Sequence, residues 1–426
     1  MKTILIHGGR IIDPARGLDS SADVLLEGGK VKAVGKDLGA ADIEIDAGGK
    51  LVTPGLIDLH VHLREPGEEA KETIATGSAS AAAGGFTTIC AMPNTTPPTD
   101  NAATVEFVLR QAKAAAGANI LPVGAITKGR AGAEPADLEA MVRGGAVAFS
   151  DDGCGVDDAE VLREAMTIAA ALKRPIMSHC EDQAASAGGV MNAGHVAALL
   201  GIAGIPAEAE ESQVRRDIEI ARRTGCRLHI SHVSTAGSVE IIRRAKGRGV
   251  ALSAEATPHH ISLTDECVRT GRPVYKMKPP LRSAEDVAAI KEGLRDAAID
   301  CLASDHAPHG TYREDLAFAD APFGIIGLES ALAVYIAELI EPGILDWPRL
   351  VAAMSANPAR VLGLSGKGTL APGADADLTI IDPDVAWTID AGTFRSRSRN
   401  CPFDGRCAKG RNTLTIVGGR IVFRLG

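Results

Sequence analysis

Two histidines separated by one residue, His60 and His62, are the first side chains in this chain whose spacing predicts chemistry. Side chains alternate along a β-strand, so two histidines at this spacing present both imidazoles to one face. Neutral imidazole is a common metal ligand. Because such a pair alone is weak evidence, a metal site is predicted only if further ligand types converge on it.

Further ligand types do follow later apolar runs. The segment 150–153 contains Asp152, and His179, His232 and Asp305 each end a short β-rich run. Imidazole and carboxylate ligands without thiolate suit Zn, Mn, Fe or Co. One ion would not need so many ligands, whereas two ions sharing a carboxylate would. The sequence therefore predicts a two-metal site, with Asp152 placed to bridge the ions.

The elements that must bring these residues together alternate between strands and helices. Helix 285–296 is predicted to start with a capping box of Ser283 and Asp286, and helix 158–172 with Asp157 as its N-cap. Eight such alternations predict a TIM barrel, in which functional residues stand at the carboxyl ends of the strands. A doubly wound open sheet is the alternative, weakened because no G-x-G-x-x-G follows the first strand. The eight predicted strands lie at 56–61, 86–92, 119–124, 146–150, 174–179, 227–231, 250–255 and 299–304.

A Gly-Gly pair between β-rich runs recurs near both ends of the chain. Such a pair favours a hairpin turn, because glycine reaches positive φ without steric cost. The pairs predict one small β-sandwich domain built from both termini: residues 1–52 and 366–426 around a barrel of residues 53–365. The four pairs are at 8–9, 28–29, 48–49 and 418–419.

Composition excludes several classes of function. The 426 residues carry a formal net charge of -9 and only 3% aromatic residues, which argues against a nucleic-acid-binding surface. No apolar run approaches the roughly 18 residues of a membrane span. The eight cysteines show no C-x-x-C spacing, so free thiols and a reducing cytoplasm are expected.

Twelve short motifs follow one another over nearly the whole chain. They are PGLIDLHVHLREPG (54–67), MPNT (92–95), SDDG (150–153), SHCED (178–182), GIPAEAE (204–210), HISHVST (229–235), EATPHH (255–260), PPLR (279–282), SDHAPH (304–309), APFGIIGLE (321–329), GADADLTIID (373–382) and PFDG (402–405). No single motif is specific, but the ordered set is. It resembles that of the dihydroorotases, within the amidohydrolase superfamily, and most closely the bacterial long-chain form, type I.

The resemblance implies a fold, a reaction and a set of site residues. The fold is the barrel with the small β-sandwich domain. The reaction is the reversible cyclisation of N-carbamoyl-L-aspartate to (S)-dihydroorotate plus water, in pyrimidine biosynthesis, with two Zn²⁺ or other divalent ions. The implied metal ligands are His60, His62, Asp152, His179, His232 and Asp305, with Asp305 also as the catalytic proton shuttle. The implied substrate-binding residues are His62, Arg64, Asn94, Lys278, His309, Phe323 and Gly324. His306, which follows the last predicted strand, is a further candidate by its position alone.

One position departs from the family. Relatives commonly contain K-x-N-P-P-L-R, where this chain has Lys278 in place of the asparagine. An amide offers a donor and an acceptor, whereas an ammonium offers donors only. Lys278 is therefore expected either to contact a substrate carboxylate as a point charge or to face solvent.

Two alternative functions remain open. Another cyclic amidohydrolase (hydantoinase, dihydropyrimidinase or allantoinase) is disfavoured, because many of these bridge their metals with a carboxylated lysine where this chain offers Asp152. A non-catalytic partner of aspartate transcarbamoylase is disfavoured, because all six ligands are present; an active enzyme could also bind that transcarbamoylase. A homodimer is expected. The segment from Asp305 to Gly327 is long for a βα loop, which is typical of functional or disordered loops.

Overall fold

The computed structural model describes residues 2–310 and 315–426. Of the charged segment 312–315 in the long loop after Asp305, only Asp315 lies within the described residues. None of the described helices is long and apolar enough to span a membrane.

The described strands form a barrel sheet, two sheets of a small domain and one short pair. In chain order they are β1 (Ile4–His7), β2 (Arg10–Asp13), β3 (Leu18–Ser21), β4 (Asp23–Glu27), β5 (Lys30–Gly35), β6 (Ile43–Asp46), β7 (Leu51–Pro54), β8 (Leu56–Val61), β9 (Phe86–Ala91), β10 (Asn119–Gly124), β11 (Ala148–Phe149), β12 (Ile176–Ser178), β13 (Met191–Asn192), β14 (Gly204–Ile205), β15 (Leu228–Ile230), β16 (Leu252–Ala256), β17 (Cys301–Leu302), β18 (Leu378–Thr388), β19 (Cys407–Val417) and β20 (Arg420–Arg424).

The α-helices lie mainly between the barrel strands. They are α1 (Ile74–Gly84), α2 (Ala102–Ala115), α3 (Leu138–Gly144), α4 (Ala159–Ala171), α5 (Gln183–Ser186), α6 (His195–Leu200), α7 (Ala207–Thr224), α8 (Ala236–Gly247), α9 (Pro258–Ser262), α10 (Ala284–Arg295), α11 (Ala331–Tyr335), α12 (Trp347–Val351) and α13 (Asn357–Leu362). Helix α11 continues as a π-helix over Ile336–Ile340, and another, Ala352–Ala356, joins α12 to α13. The 3-10 segments are Pro14–Arg16, Lys128–Arg130, Asp265–Thr270, Pro273–Tyr275, Phe318–Asp320 and Ala391–Thr393.

The barrel predicted from the sequence is confirmed. Eight strands form one sheet in the order β17-β16-β15-β12-β11-β10-β9-β8, with every pairing parallel. A parallel bridge between Val61 and His306 joins the two ends of the sheet, and the His62 amide donates to the His306 carbonyl over 2.8 Å. The ring closes at the carboxyl ends of the strands, where the predicted ligands stand.

The small β-sandwich built from both termini is also confirmed. One sheet has the order β5-β4-β1-β6, and the other has β20-β19-β18-β7-β2-β3. Its core includes Ile6 and Ile11 from the N-terminal part and Leu378 and Ile416 from the C-terminal part, all fully buried. Residue 52, the predicted boundary, lies within β7; the three-segment domain division stays a prediction.

The four Gly-Gly pairs do not behave alike. Those at 28–29 and 418–419 join antiparallel neighbours, β4 to β5 and β19 to β20, as predicted. Those at 8–9 and 48–49 instead connect strands of different sheets, so the prediction of hairpins there is wrong. These two crossings run side by side, since β1 pairs with β6 and β2 with β7 in parallel. A side chain at Gly9 would lie 2.8 Å from Val52, so close packing of the crossings demands glycine.

Helix starts follow their capping residues. Ser283 and Asp286 form the predicted capping box of α10. Helix α4 is capped one residue later than predicted, because Asp158 Oδ1 rather than Asp157 accepts from the backbone of Glu160 and Val161. Caps of this kind satisfy amides that have no partner inside the helix. Both helices thereby begin at a defined point behind the barrel strands.

Candidate active site

Six predicted ligands stand at or just beyond the carboxyl ends of five barrel strands. His60 lies in β8 and His62 follows it, while Asp152, His179, His232 and Asp305 follow β11, β12, β15 and β17. All six are buried, from His60 at 0% exposure to Asp305 at 6%. Burial of so many ionisable groups is costly unless they are paired or bind a metal.

The ligand atoms face one another. Two groups have ligand atoms all within 4.8 Å: His60 with Asp152 and His232, and His60 with His62 and Asp305. Asp152 Oδ1 lies 3.2 Å from His60 Nε2 and 3.4 Å from both His179 Nδ1 and His232 Nε2. Its other oxygen lies 3.5 Å from His62 Nε2. Asp152 is thus at the centre of the four imidazoles.

These residues fit a metal ion because their facing atoms include more lone pairs than the available N–H groups can satisfy by hydrogen bonding. Two ring nitrogens, His179 Nδ1 and His232 Nε2, lie 2.9 Å apart, and only one of them can donate to the other. The buried His60 Nε2 has no hydrogen-bond partner within the described part of the chain. Lone pairs that converge without donors between them are the environment that a divalent cation fills.

The electrostatics also favour a cation here. Burial alone would raise the pKa of Asp152, but the charge of His60 and the close contacts of Asp152 with the imidazoles of His179 and His232 hold it well below its usual value. Asp305 has its pKa lowered for the same reason, by His60 and His62 against the effect of burial. Burial opposes a charge on His60, yet Asp152 and Asp305 raise its pKa well above normal. Two ionised carboxylates therefore hold positive charge at this point.

Side chains that the sequence analysis did not single out orient these ligands. Glu255 lies 3.0 Å from His60 Nδ1 through Oε1 and 3.0 Å from His229 Nε2 through Oε2. Glu181 Oε2 lies 3.1 Å from His179 Nε2. A carboxylate on the second ring nitrogen fixes the tautomer and orientation of a ligating histidine. The position of Glu181 two residues after His179 was a usable signal, whereas no local signal links Glu255 to His60.

One cavity of about 310 Å³ opens beside the candidate metal ligands. The structure brings all the predicted substrate-binding residues to its wall: His62, Arg64, Asn94, Lys278, His309, Phe323 and Gly324. His306 has both ring nitrogens engaged instead, Nδ1 with the Gly327 amide at 3.2 Å and Nε2 with Glu72 at 3.3 Å. His306 therefore supports the barrel end and is not among the residues that line the cavity.

Arg64 is a buried cation in the cavity wall. Its Nε donates to the Pro308 carbonyl over 3.1 Å, and it is 8% exposed. Within residues 2–310 and 315–426, no carboxylate oxygen lies within 4.0 Å of its guanidinium. Burial lowers the pKa of Arg64, but a guanidinium stays charged at neutral pH. The site thus holds a positive charge ready for an anion.

His309 is a neutral imidazole beside Arg64. Burial and then the charge of Arg64 lower the pKa of His309 to about 3. Its Nε2 donates to the Phe323 carbonyl over 2.5 Å, so Nδ1 is the acceptor. At Gly324, φ is +125° and a Cβ would lie 2.6 Å from Ala307 Cβ. Only glycine fits, and its backbone is left facing the cavity.

Lys278 faces an acidic partner at the cavity wall. Its Nζ lies 2.9 Å from Glu181 Oε2, and its side chain is 23% exposed. Burial would raise the pKa of Glu181, but contacts with His179 and Lys278 bring it to about 2. The ammonium of Lys278 is therefore committed to a carboxylate of the protein rather than turned to solvent.

Three site residues have strained backbones. Arg64, His232 and Asp305 are non-glycine residues with positive φ, at 60°, 33° and 47°. Such conformations cost on the order of 1–3 kcal/mol and persist where the surroundings enforce them. Here the strained positions are the turns that aim one arginine and two candidate ligands into the cavity.

Comparison with known proteins agrees with this geometry. The family model described as dihydro-orotase-like matches residues 49–238. A dihydroorotase of Pelotomaculum thermopropionicum is 52% identical over 99% of this chain and 98% of its own length. A dihydroorotase of Geobacter metallireducens is 48% identical, covering 99% of both chains.

Solved structures share the fold. The L-hydantoinase (dihydropyrimidinase) of Arthrobacter aurescens superimposes with a TM-score of 0.89 at 32% identity, over 100% of this chain and 97% of that one. A D-hydantoinase of Thermus sp. gives a TM-score of 0.83 at 27% identity, over 99% and 95%. Together with identity near half over the full length to curated relatives, the barrel and its ligand-bearing strand ends show that this chain belongs to the dihydroorotase family of metal-dependent cyclic amide hydrolases.

Proposed function

We propose that this protein catalyses the reversible cyclisation of N-carbamoyl-L-aspartate to (S)-dihydroorotate with release of water, a step of pyrimidine biosynthesis. The observation that carries the proposal is the buried Arg64 guanidinium, which has no carboxylate within 4.0 Å among the described residues and shares one cavity with Asp152 and Asp305. Both substrate and product are carboxylates. A guanidinium binds a carboxylate through two parallel hydrogen bonds.

Two divalent ions, with zinc the first candidate, are proposed to bind His60, His62, Asp152, His179, His232 and Asp305. Three imidazoles and two carboxylates whose ligand atoms converge support this proposal, as does the fourth imidazole, His179, whose Nδ1 lies 3.4 Å from Asp152 Oδ1. When bound, divalent ions of this kind polarise a carbonyl oxygen and lower the pKa of water so that hydroxide forms near neutral pH.

Asp305 is proposed to move the proton. In the hydrolytic direction, water adds to the ring carbonyl carbon, the ring C–N bond breaks, and the nitrogen gains the proton that Asp305 Oδ1 takes from the water. Asp305 Oδ1 lies 3.1 Å from His62 Nε2, so both atoms face the point where a metal ion would hold this carboxylate in place. In the biosynthetic direction the same carboxylate passes the proton back as water leaves.

The remaining cavity residues are proposed to hold the substrate. Arg64 would clamp the carboxylate, while Asn94 and His309 Nδ1 offer hydrogen bonds to the ring amide groups. The backbone of Phe323 and Gly324 would line the opposite wall, where the absence of a side chain at 324 leaves room. These contacts suit an anionic substrate that carries amide groups, as both dihydroorotate and N-carbamoyl-L-aspartate do.

A hydantoinase-type activity is the second candidate, because solved hydantoinases share this fold. Two features favour the acidic substrate instead. Asp152 stands where many hydantoinases use a carboxylated lysine, and an arginine lies in the cavity wall. The deciding experiment compares hydrolysis of dihydroorotate, dihydrouracil, hydantoin and allantoin, with metal analysis of the same sample. We expect dihydroorotate to be turned over and the neutral rings to be poor substrates. Metal-loaded protein that does not hydrolyse dihydroorotate would contradict the proposal. That result is the one expected of a non-catalytic scaffold.

Homodimer formation and association with aspartate transcarbamoylase are further proposals that rest on the family resemblance. A cytoplasmic location is a further proposal that rests on the cysteines, which show no C-x-x-C spacing. Size-exclusion chromatography with light scattering, alone and with the transcarbamoylase, tests the first two. The division at 52/53 and 365/366 is likewise proposed, with limited proteolysis as its test.

A further inference from the structure

Three side chains form a line from the cavity wall to a candidate metal ligand. Lys278 Nζ lies 2.9 Å from Glu181 Oε2, and the same oxygen lies 3.1 Å from His179 Nε2. Glu181 is 6% exposed, so its charge is almost wholly removed from water. Its oxygen therefore accepts from both the ammonium and the imidazole.

The hydrogen bond to Glu181 determines which nitrogen of His179 is free. A carboxylate only accepts, so Nε2 carries the proton and donates it. In the neutral imidazole, the form that binds a metal, the lone pair is then on Nδ1, which lies 3.4 Å from Asp152 Oδ1 and 2.9 Å from His232 Nε2. Nδ1 is thus the atom of His179 that is presented to a metal.

Glu181 has few other groups to hold it. Gln183 Nε2 lies 3.4 Å from Oε2, and the buried Oε1 has no hydrogen-bond partner in the described chain. Removing one partner of a buried charge leaves the other uncompensated. Without Lys278, Glu181 would be a poorly compensated buried anion, free to turn away from His179.

We propose that Lys278 is a positioning residue of the metal centre, acting through Glu181 to hold His179 with Nδ1 towards the metal rather than contacting the substrate. The inference rests on the proposed metal centre. It assigns a role to the position where this chain has lysine in place of the usual asparagine, different from both roles expected from sequence.

The test measures Co²⁺ affinity of metal-free protein by visible absorption, without turnover. Lys278→Met and Glu181→Gln should each weaken Co²⁺ binding by about 10–100-fold, and Lys278→Arg should restore most of it, because a guanidinium also pairs with a carboxylate. Lys291→Met is the matched control: Lys291 is 22% exposed and pairs with Glu338 at 2.8 Å, and neither residue lines the cavity. It should bind Co²⁺ as wild type does.

The double variant Lys278→Met/Glu181→Gln shows whether the two residues act as one unit. We expect it to be no worse than Glu181→Gln alone, since Lys278 acts through that carboxylate. Fully additive effects would overturn the inference. Unchanged Co²⁺ affinity in Lys278→Met would also overturn the inference. If KM for dihydroorotate also rises in that variant at saturating metal, Lys278 is a substrate contact instead.

The same samples separate this inference from the proposed function. If wild-type protein fails to hydrolyse dihydroorotate while Lys278→Met loses Co²⁺ affinity, the proposed substrate is wrong and the positioning role stands. If wild type hydrolyses dihydroorotate and all variants bind Co²⁺ equally, the function stands and the positioning role is wrong.

Discussion

Asn94 Oδ1 lies 2.8 Å from Nδ1 of His62. An amide oxygen only accepts, so His62 Nδ1 carries a proton and its Nε2 lone pair faces Asp305, 3.1 Å away. The amide nitrogen of Asn94 lies 3.4 Å from Asp152 Oδ2. Asn94, predicted from sequence as a substrate contact, therefore also orients one candidate ligand and contacts a second.

Asn94→Ala should weaken divalent-metal binding by about 10–100-fold, the usual effect of losing a residue that orients a ligand. It should also raise KM if Asn94 contacts the substrate as proposed. Metal titration and kinetics at saturating metal separate the two effects. Asn119→Ala, which removes a half-buried amide bonded to Thr87 and Asp377, should lower stability alone. Wild-type metal affinity in Asn94→Ala would contradict the orienting role.

Asp152→Asn should lower the metal content of purified protein, because it removes the charge at the centre of four imidazoles. Elemental analysis should fall from two ions per chain to one or none. Asp151→Asn is the neighbouring control, since that carboxylate accepts from the Ile126 and Thr127 amides and faces none of the imidazoles. Full metal content in Asp152→Asn would contradict the prediction that Asp152 bridges two metal ions.

Asp305→Asn should fold but lose turnover by a factor on the order of 10² or more, because an amide cannot take a proton from water. Pre-steady-state kinetics at saturating metal, with metal content measured on the same sample, test the chemical step itself. Near-normal single-turnover rates would assign the proton transfer to another group.

The strand ends could be predicted from sequence because their signals are local. An apolar run followed by a histidine or aspartate marks each one, and the barrel topology then forces these ends together. The partners of the ligands could not be predicted in this way. Glu255 reaches His60, and Lys278 reaches Glu181, only across the fold. An isolated glutamate or lysine is compatible with many surroundings.

The Gly-Gly pairs show the same limit. All four allow positive φ, and the local sequence predicts a turn equally well at each. Whether the next strand returns beside its neighbour, as after Gly28, or crosses to the other sheet, as after Gly8, depends on which strands are already paired. That pairing is set by tertiary contacts, which the local sequence does not contain. The predicted hairpins were therefore wrong at the two pairs where the chain crosses between sheets.

Arg64→Met should raise KM for dihydroorotate by roughly 10–100-fold, because a hydrogen bond to a charged group contributes about 1.5–3 kcal/mol. Slow turnover of neutral dihydrouracil should change little. The ratio of the two kcat/KM values is therefore the measurement. An equal loss for both substrates would mean that Arg64 supports the site without reading the carboxylate.

Glu329 offers a test of stability away from the metal site. Its Oε1 accepts from Ser80 Oγ at 2.8 Å and from the Arg395 amide at 2.7 Å. Burial raises the pKa of Glu329 from 4.5 to about 7. The folded protein therefore binds this proton more tightly than the unfolded chain does. Its contribution to stability is full below pH 4.5 and is lost as the pH rises through about 7.

Glu329→Gln keeps the accepting oxygen and cannot ionise. The Tm of Glu329→Gln relative to wild type should therefore rise between pH 5 and pH 8. The pKa shift corresponds to a change in the free energy of unfolding on the order of 3 kcal/mol, which in a chain of this size shifts Tm by about 3 °C. Glu338→Gln is the matched control: despite burial, Lys291 and Arg406 lower the pKa of Glu338 from 4.5, so the stability from its charge is full above pH 4.5 and is lost only at lower pH. The Tm difference for Glu338→Gln should therefore stay nearly constant between pH 5 and pH 8. A pH-independent difference for Glu329→Gln would show that Glu329 is ionised in the folded protein throughout this range.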